Sequence, residues 1–125
     1  PVSGGKFCVA ADLDEAHQRL FVTCRSGTLN VLDTETGKLV VTVPIAKGTD
    51  DVLYDRESGR IYITSAEGFI EVLQQADSNH YEPIAKISTG PMGKNLALVK
   101  SQNRLYVAVP PYGNVQAKIL VYSVQ

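Results

Sequence analysis

Three glycine-containing loops of this 125-residue chain carry charged and amide side chains, and they are the first places to look for chemistry. They are Ser3-Gly4-Gly5-Lys6, Gly48-Thr49-Asp50-Asp51 and Gly93-Lys94-Asn95. The charged and amide residues of these loops form a mixed acidic and basic set, which could bind a polar ligand or a cation, or could be solvated turn residues. Asp50-Asp51 is not a calcium loop, because the spaced ligands and the closing glutamate of an EF-hand are absent. The candidate binding residues are Lys6, Asp50, Asp51, Lys94 and Asn95.

Other residue types that could do chemistry are sparse. His17 and His80 are isolated from each other in turn-like segments, which is typical of surface histidines. Nucleophilic catalysis needs a serine or cysteine within reach of a base, and the chain has no Gly-x-Ser-x-Gly elbow. The sequence therefore predicts no catalytic residue, no metal site and no cofactor.

Cys8 and Cys24 are too few for a disulfide framework and lack the clustered spacing of a zinc site. They lie on two adjacent predicted strands. If Asp12 pairs with Arg19, Cys8 falls opposite Thr23, and the one-residue offset puts Cys24 on the other face of the sheet. This register predicts two separate core thiols, although a shift in the turn between the strands would permit a disulfide.

The composition limits the classes of partner that the chain is expected to bind. Hydrophobic residues make up 44% of the chain and charged residues 20%, which is typical of one folded domain. A formal net charge of -1 provides no basic field for phosphates, so we expect no nucleic-acid partner. The apolar stretches are far shorter than the roughly 18 residues that span a bilayer, so we expect no membrane insertion.

An internal repeat organises the chain. Arg19-Leu20-Phe21-Val22-Thr23 returns as Arg60-Ile61-Tyr62-Ile63-Thr64 and as Arg104-Leu105-Tyr106-Val107-Ala108, at spacings of 41 and 44 residues. Each copy consists of short β-branched and aromatic strands separated by turn residues, without helical periodicity. The hairpin loops before the second and third repeats end in Gly59 and Asn103, where a left-handed backbone is usual. The first copy is expected to have a longer turn, Leu13 to Gln18.

Four antiparallel strands repeated every ~40 to 45 residues predict the blades of an all-β fold, the β-propeller, rather than the shorter coils of a β-helix. The approximate blades are residues 5–45, 46–88 and 89–125, and the last blade lacks its outer strand. The glycine-containing loops would then meet at the mouth of the central channel. The aromatic position repeated as Phe21, Tyr62 and Tyr106 is expected to pack between blades.

The amino-acid sequence of the strands resembles the YVTN-type β-propeller repeat. The similarity is carried by Phe21-Val22-Thr23, by Tyr62-Ile63-Thr64 and by the run from Gly27 to Lys38, and the link Ile87 to Gly93 is similar to that family's links between blades. The final Asn of the signature is replaced by Cys24, Ser65 and Val109. The resemblance implies a seven-bladed propeller, secreted, periplasmic or surface-attached, that serves as a binding platform or as an enzyme domain.

Three blades do not close a ring, which needs at least about four. We therefore expect these blades to pair with the remaining blades of a larger propeller, or with a second copy of the chain in a homodimer. The predicted function is a non-catalytic scaffold for a polar ligand or a protein partner, because loops on a rigid framework commonly bind. The alternatives are a segment of a propeller enzyme, such as a lactonase-like hydrolase or a quinoprotein-associated domain, and a self-assembling surface array.

Overall fold

The computed structural model describes residues 4–125, which form three antiparallel sheets that we call blades. In blades 1 and 2, four strands lie side by side in chain order, and blade 3 has three strands in its described part. Blade 1 consists of β1 (Cys8–Asp14), β2 (Arg19–Cys24), β3 (Thr28–Asp33) and β4 (Leu39–Pro44). Blade 2 consists of β5 (Thr49–Asp55), β6 (Arg60–Ser65), β7 (Phe69–Asp77) and β8 (His80–Ser88). Blade 3 consists of β9 (Leu96–Val99), β10 (Arg104–Val109) and β11 (Lys118–Ser123).

The first hairpin of each blade turns in the same way. Gly59 and Asn103, the last turn residues of blades 2 and 3, have φ angles of +70° and +51°, as their residue types predict. The longer turn expected in blade 1 is wrong, because β1 continues to Asp14 and leaves a four-residue turn. Its last residue, Gln18, adopts a φ of +56° although it is neither glycine nor asparagine. The turn at residues 15–18 is therefore equivalent to the other two, but its last residue is not of a type from which this could be predicted.

The structure joins Cys8 to Cys24 in a disulfide, so the predicted pair of separate thiols is wrong. Because the turn is shorter than expected, Asp14 pairs with Arg19 and the register moves by two residues. A β-bulge at Val9 then adds one residue to β1 and brings Cys8 directly opposite Cys24. The alternation of apolar and polar residues does not reveal a bulge, which is why the sequence pattern missed this pairing.

The blades stack face to face, with the inner strands β1, β5 and β9 side by side. We call the face of each blade that points to the next blade along the chain its forward face, and the opposite face its rear face. The forward face of blade 1 packs on the rear face of blade 2, and blade 2 packs on blade 3 in the same way. Each junction is an apolar core. The first core contains Phe21, Leu29, Val31, Ile61 and Ile63, and the second contains Tyr62, Ile70, Val72, Leu105 and Val107.

The forward face of blade 3 carries the same pattern without a blade against it in the described chain. Ile119 and Val121 are 61% and 52% exposed there. Tyr106, the third member of the repeated aromatic position, lies on this face beside Val121, whereas Phe21 and Tyr62 are buried in junctions. We call the end at which the inner strands begin the upper end, and the opposite end the lower end. No helix of residues 4–125 is long and apolar enough to cross a bilayer.

Candidate functional site

Two of the five predicted binding residues meet at the upper end. Asp50 is the extra residue of a β-bulge at the start of β5, and its side chain is only 6% exposed. Arg25 of blade 1 lies 3.1 Å from one carboxylate oxygen, and Lys94 of blade 3 lies 3.3 Å from the other. A single buried carboxylate is thus held between cations from the two neighbouring blades. The guanidinium and the ammonium are only partly buried, so both cations also face solvent.

The other predicted residues have different roles. Asp51 accepts a hydrogen bond of 2.8 Å from the Leu96 amide, so its carboxylate ties blade 2 to blade 3. Asn95 is exposed, and its main-chain carbonyl accepts a hydrogen bond from Ala108. Lys6 is exposed and lies two residues before Cys8, outside the ion-paired group. Of the five candidate binding residues, Asp50 and Lys94 therefore belong to one ionic group, and Lys6 and Asn95 are exposed polar residues outside it.

Sequence reasoning missed Arg25, the third member of the ionic group. The register places it directly after β2, where blades 2 and 3 have Ala66 and Pro110. A charged residue at a turn position that is apolar in the other copies was the signal that could have identified it. With the exposed Lys6 and Lys47 on neighbouring loops, these four cations of the upper end outnumber the carboxylates of Asp50, Asp51 and Glu67 there.

The lower end holds a buried carboxylate at the end of each of the first two inner strands. Asp14 is 2% exposed and accepts hydrogen bonds of 2.8 Å from His17 Nδ1 and from the side-chain amide of Gln75 in blade 2. Burial opposes ionisation, but the bonds from Gln75 and His17 outweigh it and lower the pKa of Asp14. Through Gln75 the carboxylate ties blade 1 to blade 2. Tyr54, bonded to the same amide, has its pKa raised to about 12, mainly by burial and then by Asp14.

Asp55 repeats this arrangement one blade later. It accepts hydrogen bonds of 2.8 Å from Lys100 Nζ of blade 3 and 2.6 Å from Ser58 Oγ. Burial opposes its ionisation, and the bonds from Lys100 and Ser58 lower its pKa. The third blade has Val99 at this position, opposite Arg104. The lower end thus carries two equivalent carboxylate ties, which the sequence analysis did not identify.

The two histidines lie at the lower end and each contacts an aspartate three residues earlier. The His17 side chain is 54% exposed beside the buried Asp14, and the His80 side chain is 73% exposed beside the exposed Asp77. A cleft of about 310 Å³ borders Asp14 and is lined also by Tyr54 and Arg56. No group of three or more histidine, cysteine, aspartate or glutamate side chains within residues 4–125 is arranged to hold a metal ion.

No protein-family model matches the sequence, and no curated protein is significantly similar to it. Solved structures are similar in fold. A chain of Kuenenia stuttgartiensis hydrazine synthase aligns with a TM-score of 0.80 and 16% identity over 98% of this chain and 34% of its own length. A functionally unknown protein from Desulfotomaculum acetoxidans aligns with a TM-score of 0.75 and 12% identity over 99% of this chain and 49% of its own.

The third similar structure is the β-propeller domain of Myceliophteria thermophila Cps50 (Swd1), with a TM-score of 0.71 and 12% identity over 90% of this chain and 40% of that one. The predicted fold class is therefore confirmed: the chain is all-β and has the fold of a partial β-propeller. It spans between about a third and a half of the length of these three chains. At such low identities the likeness concerns the fold alone.

Proposed function

We propose that the chain is a non-catalytic binding scaffold of YVTN-like blades within a larger propeller, and that its upper end contacts a negatively charged ligand. The observation that carries this proposal is the ionic group at the upper end. Asp50 is enclosed by Arg25 and Lys94, so one buried negative charge fixes two cations that still face solvent. Cations held in place by a rigid framework lose little entropy when an anionic group binds between them.

The ties between blades support the scaffold role. Asp51, Asp14 and Asp55 each use a carboxylate to fasten one blade to the next, at both ends of the structure. Such ties limit relative motion of the blades and hold the upper loops in a constant geometry. The lower end presents carboxylates together with cations, so the positive surplus is confined to the upper end.

The larger ring and the YVTN-like character have separate support. The similar solved chains are two to three times as long as this one, and the uncovered forward face of blade 3 repeats a surface that other blades cover. The repeated strand sequences support the YVTN-like character. The disulfide between Cys8 and Cys24 favours an oxidising compartment, such as the periplasm or the cell exterior.

A peptide titration tests the binding proposal. We expect a ten-residue oligoglutamate to shift backbone amide resonances of the upper loops in NMR spectra, and an oligolysine of the same length to leave them unchanged. Arg25→Gln and Lys94→Gln should each weaken binding about tenfold, a factor that corresponds to roughly 1.4 kcal/mol. Lys38→Gln is the matched control, because Lys38 is an exposed cation at the lower end. Equal responses to the two peptides, or shifts at the lower loops, would overturn the proposal.

One observation favours the alternative of an enzyme segment. The buried carboxylate of Asp14 borders a cleft and accepts a hydrogen bond from His17, and a carboxylate orients the general base in this way in hydrolases. A lactonase-like activity would be lost on His17→Gln and retained on His80→Gln, since the aspartate partner of His80 is exposed. Lactone hydrolysis that is the same in both variants, or no faster than without protein, would reject this alternative.

A further inference from the structure

The upper part of the junction between blades 1 and 2 is built from successive layers of side chains. Phe21 and Ile63 belong to the apolar core of this junction. Thr23 and Ser65 lie two residues further along the same strands, so their side chains leave the two sheets on the same faces, one layer above the core. Arg25 comes two residues after Thr23 and belongs to the ionic group of the upper end. A layer of hydroxyl side chains therefore separates the apolar core from the ions.

The hydroxyl layer has a third member, which blade 2 provides. Thr49 is the direct cross-strand partner of Ser65, so the two side chains lie on the same face of the sheet. Arg25 donates a hydrogen bond of 3.4 Å from Nε to the Thr49 carbonyl, which brings the end of β2 beside Thr49. Thr23, Thr49 and Ser65 thus face one another across the junction. Their exposed fractions are 0%, 0% and 1%.

Protein atoms do not satisfy these hydroxyls. Within residues 4–125, Thr23 Oγ1, Thr49 Oγ1 and Ser65 Oγ have no hydrogen-bond partner. An unpaired buried hydroxyl lowers stability, because the group loses its hydrogen bonds to solvent on folding. Buried polar groups without a protein partner are commonly paired by an internal water, which makes about three hydrogen bonds.

The junction between blades 2 and 3 has the same layer in a form that protein atoms satisfy. Thr64, the equivalent of Thr23 in the second repeat, donates its hydroxyl hydrogen bond to the Lys94 carbonyl of blade 3. Val109, the equivalent of Ser65, is 2% exposed and belongs to the apolar core. The repeat therefore does not require unpaired hydroxyls at this level, and their accumulation is a property of the first junction.

We propose that the hydroxyls of Thr23, Thr49 and Ser65 bind a water molecule between blades 1 and 2. Each hydroxyl can donate or accept a hydrogen bond, and water does both. The layer itself holds no charged group for an ion, and the carboxylate above it, that of Asp50, is already paired with two cations. The water connects the two blades directly below Arg25 and helps to hold that side chain in place. This site is inside the structure and is independent of the anionic ligand proposed above.

Magnetisation transfer from water tests the proposal on the unmodified chain. In water–protein nuclear Overhauser spectra, we expect cross-peaks with the sign of a long-lived water at the methyl groups of Thr23 and Thr49. The methyl group of Thr64 is the matched control, and we expect no cross-peak there because its hydroxyl is bonded to protein. Missing cross-peaks at Thr23 and Thr49 would overturn the proposal. So would equal cross-peaks at all three threonines, because these would arise from exchange of hydroxyl protons with solvent.

Relaxation dispersion of ¹⁷O detects the water oxygen itself. The double variant Thr49→Val with Ser65→Ala removes the two hydroxyls of blade 2. We expect it to lose the dispersion amplitude of one long-lived water and the cross-peak at Thr23. Thr64→Val is the matched control and should keep both signals, and circular dichroism checks that the variants are folded. An amplitude that is the same in the double variant and the unmodified chain would overturn the proposal, since an ion at this site would give that result.

Discussion

The forward faces of blades 2 and 3 have the same residue pattern and opposite environments. Ile70 and Val72 of blade 2 are 0% and 5% exposed, whereas Ile119 and Val121 at the equivalent positions of blade 3 are 61% and 52% exposed. The strand pairing is the same, with the aromatic of the central strand opposite the valine. Position in the stack of blades, and not residue type, therefore decides which copy of the pattern forms a core.

The largest expected difference between the two faces is in stability. Ile70→Ala should lower the free energy of unfolding by about 2 to 5 kcal/mol, because it removes packing atoms from a buried core. Ile119→Ala should change it by less than about 0.5 kcal/mol, because the side chain is exposed. Urea unfolding of dilute, monomeric protein measures both. Equal losses would mean that the blade 3 face is buried in solution.

The disulfide distinguishes blade 1 from blade 2. Replacing Cys8 and Cys24 by serine should lower the free energy of unfolding by about 3 kcal/mol, the value for a closed loop of this size. Thr49 and Ser65 are the equivalent facing pair in blade 2, and their buried hydroxyls have no hydrogen-bond partner among the described residues. Cysteines at both positions should form a second disulfide that raises the thermal midpoint. Because reductant also breaks the Cys8–Cys24 bond, a midpoint that falls in reductant by no more than that of the unmodified chain would contradict this expectation.

The carboxylate ties should respond to acid. The pKa of Asp55 is lowered in the folded chain from an ordinary value of 3.8, so its contribution to stability is complete above that pH and is lost as the pH falls through the folded value. Asp55→Asn should cost about 1 to 3 kcal/mol at neutral pH and give a flatter stability curve below pH 4. Glu67→Gln, at an exposed position, is the control. Parallel curves for Asp55→Asn and the unmodified chain would count against this tie.

The smallest expected effect concerns the repeated arginine. Arg19 donates a hydrogen bond of 2.8 Å from Nε to the Ser78 carbonyl and one of 2.9 Å from Nη2 to Asn79 Oδ1. It therefore holds the outer hairpin of blade 2 against blade 1. Arg19→Gln should cost about 1 kcal/mol and speed hydrogen exchange in that hairpin. Arg104→Gln should have no measurable effect, because Arg104 is exposed on blade 3. Similar exchange rates in the two variants would show that the hydrogen bonds of Arg19 to this hairpin are not formed in solution.

Most of the fold could be predicted from local sequence signals. The repeat, the strand-forming runs and the turn residues are all features of neighbouring positions, and they correctly indicated three antiparallel sheets. Local signals failed at Gln18, which adopts a left-handed conformation unusual for its residue type, and at Val9, where β1 contains a bulge. Those two departures together misplaced the cysteines.

The candidate site could be predicted only in part. The loops that carry Asp50 and Lys94 were identified because the repeat shows which loops are equivalent. Arg25, Asp14 and Asp55 were missed because the partners that they bind on the neighbouring blades lie at least 25 residues away along the chain. The distance along the chain to such a partner differs from one contact to the next, so no fixed spacing identifies the pair.

The sequence by itself determined the repeat unit, the strands of each blade and the apolar pattern on both of its faces, because these depend on interactions between neighbours in the chain. Only the tertiary structure decided which faces are buried, which carboxylates tie the blades together, and that Cys8 meets Cys24. These outcomes depend on strand register and on the order of blades in the stack. A shift of one residue in register moves a side chain to the opposite face. The forward faces of blades 1 and 2 are buried by the next blade, whereas the forward face of blade 3 is exposed in the described chain.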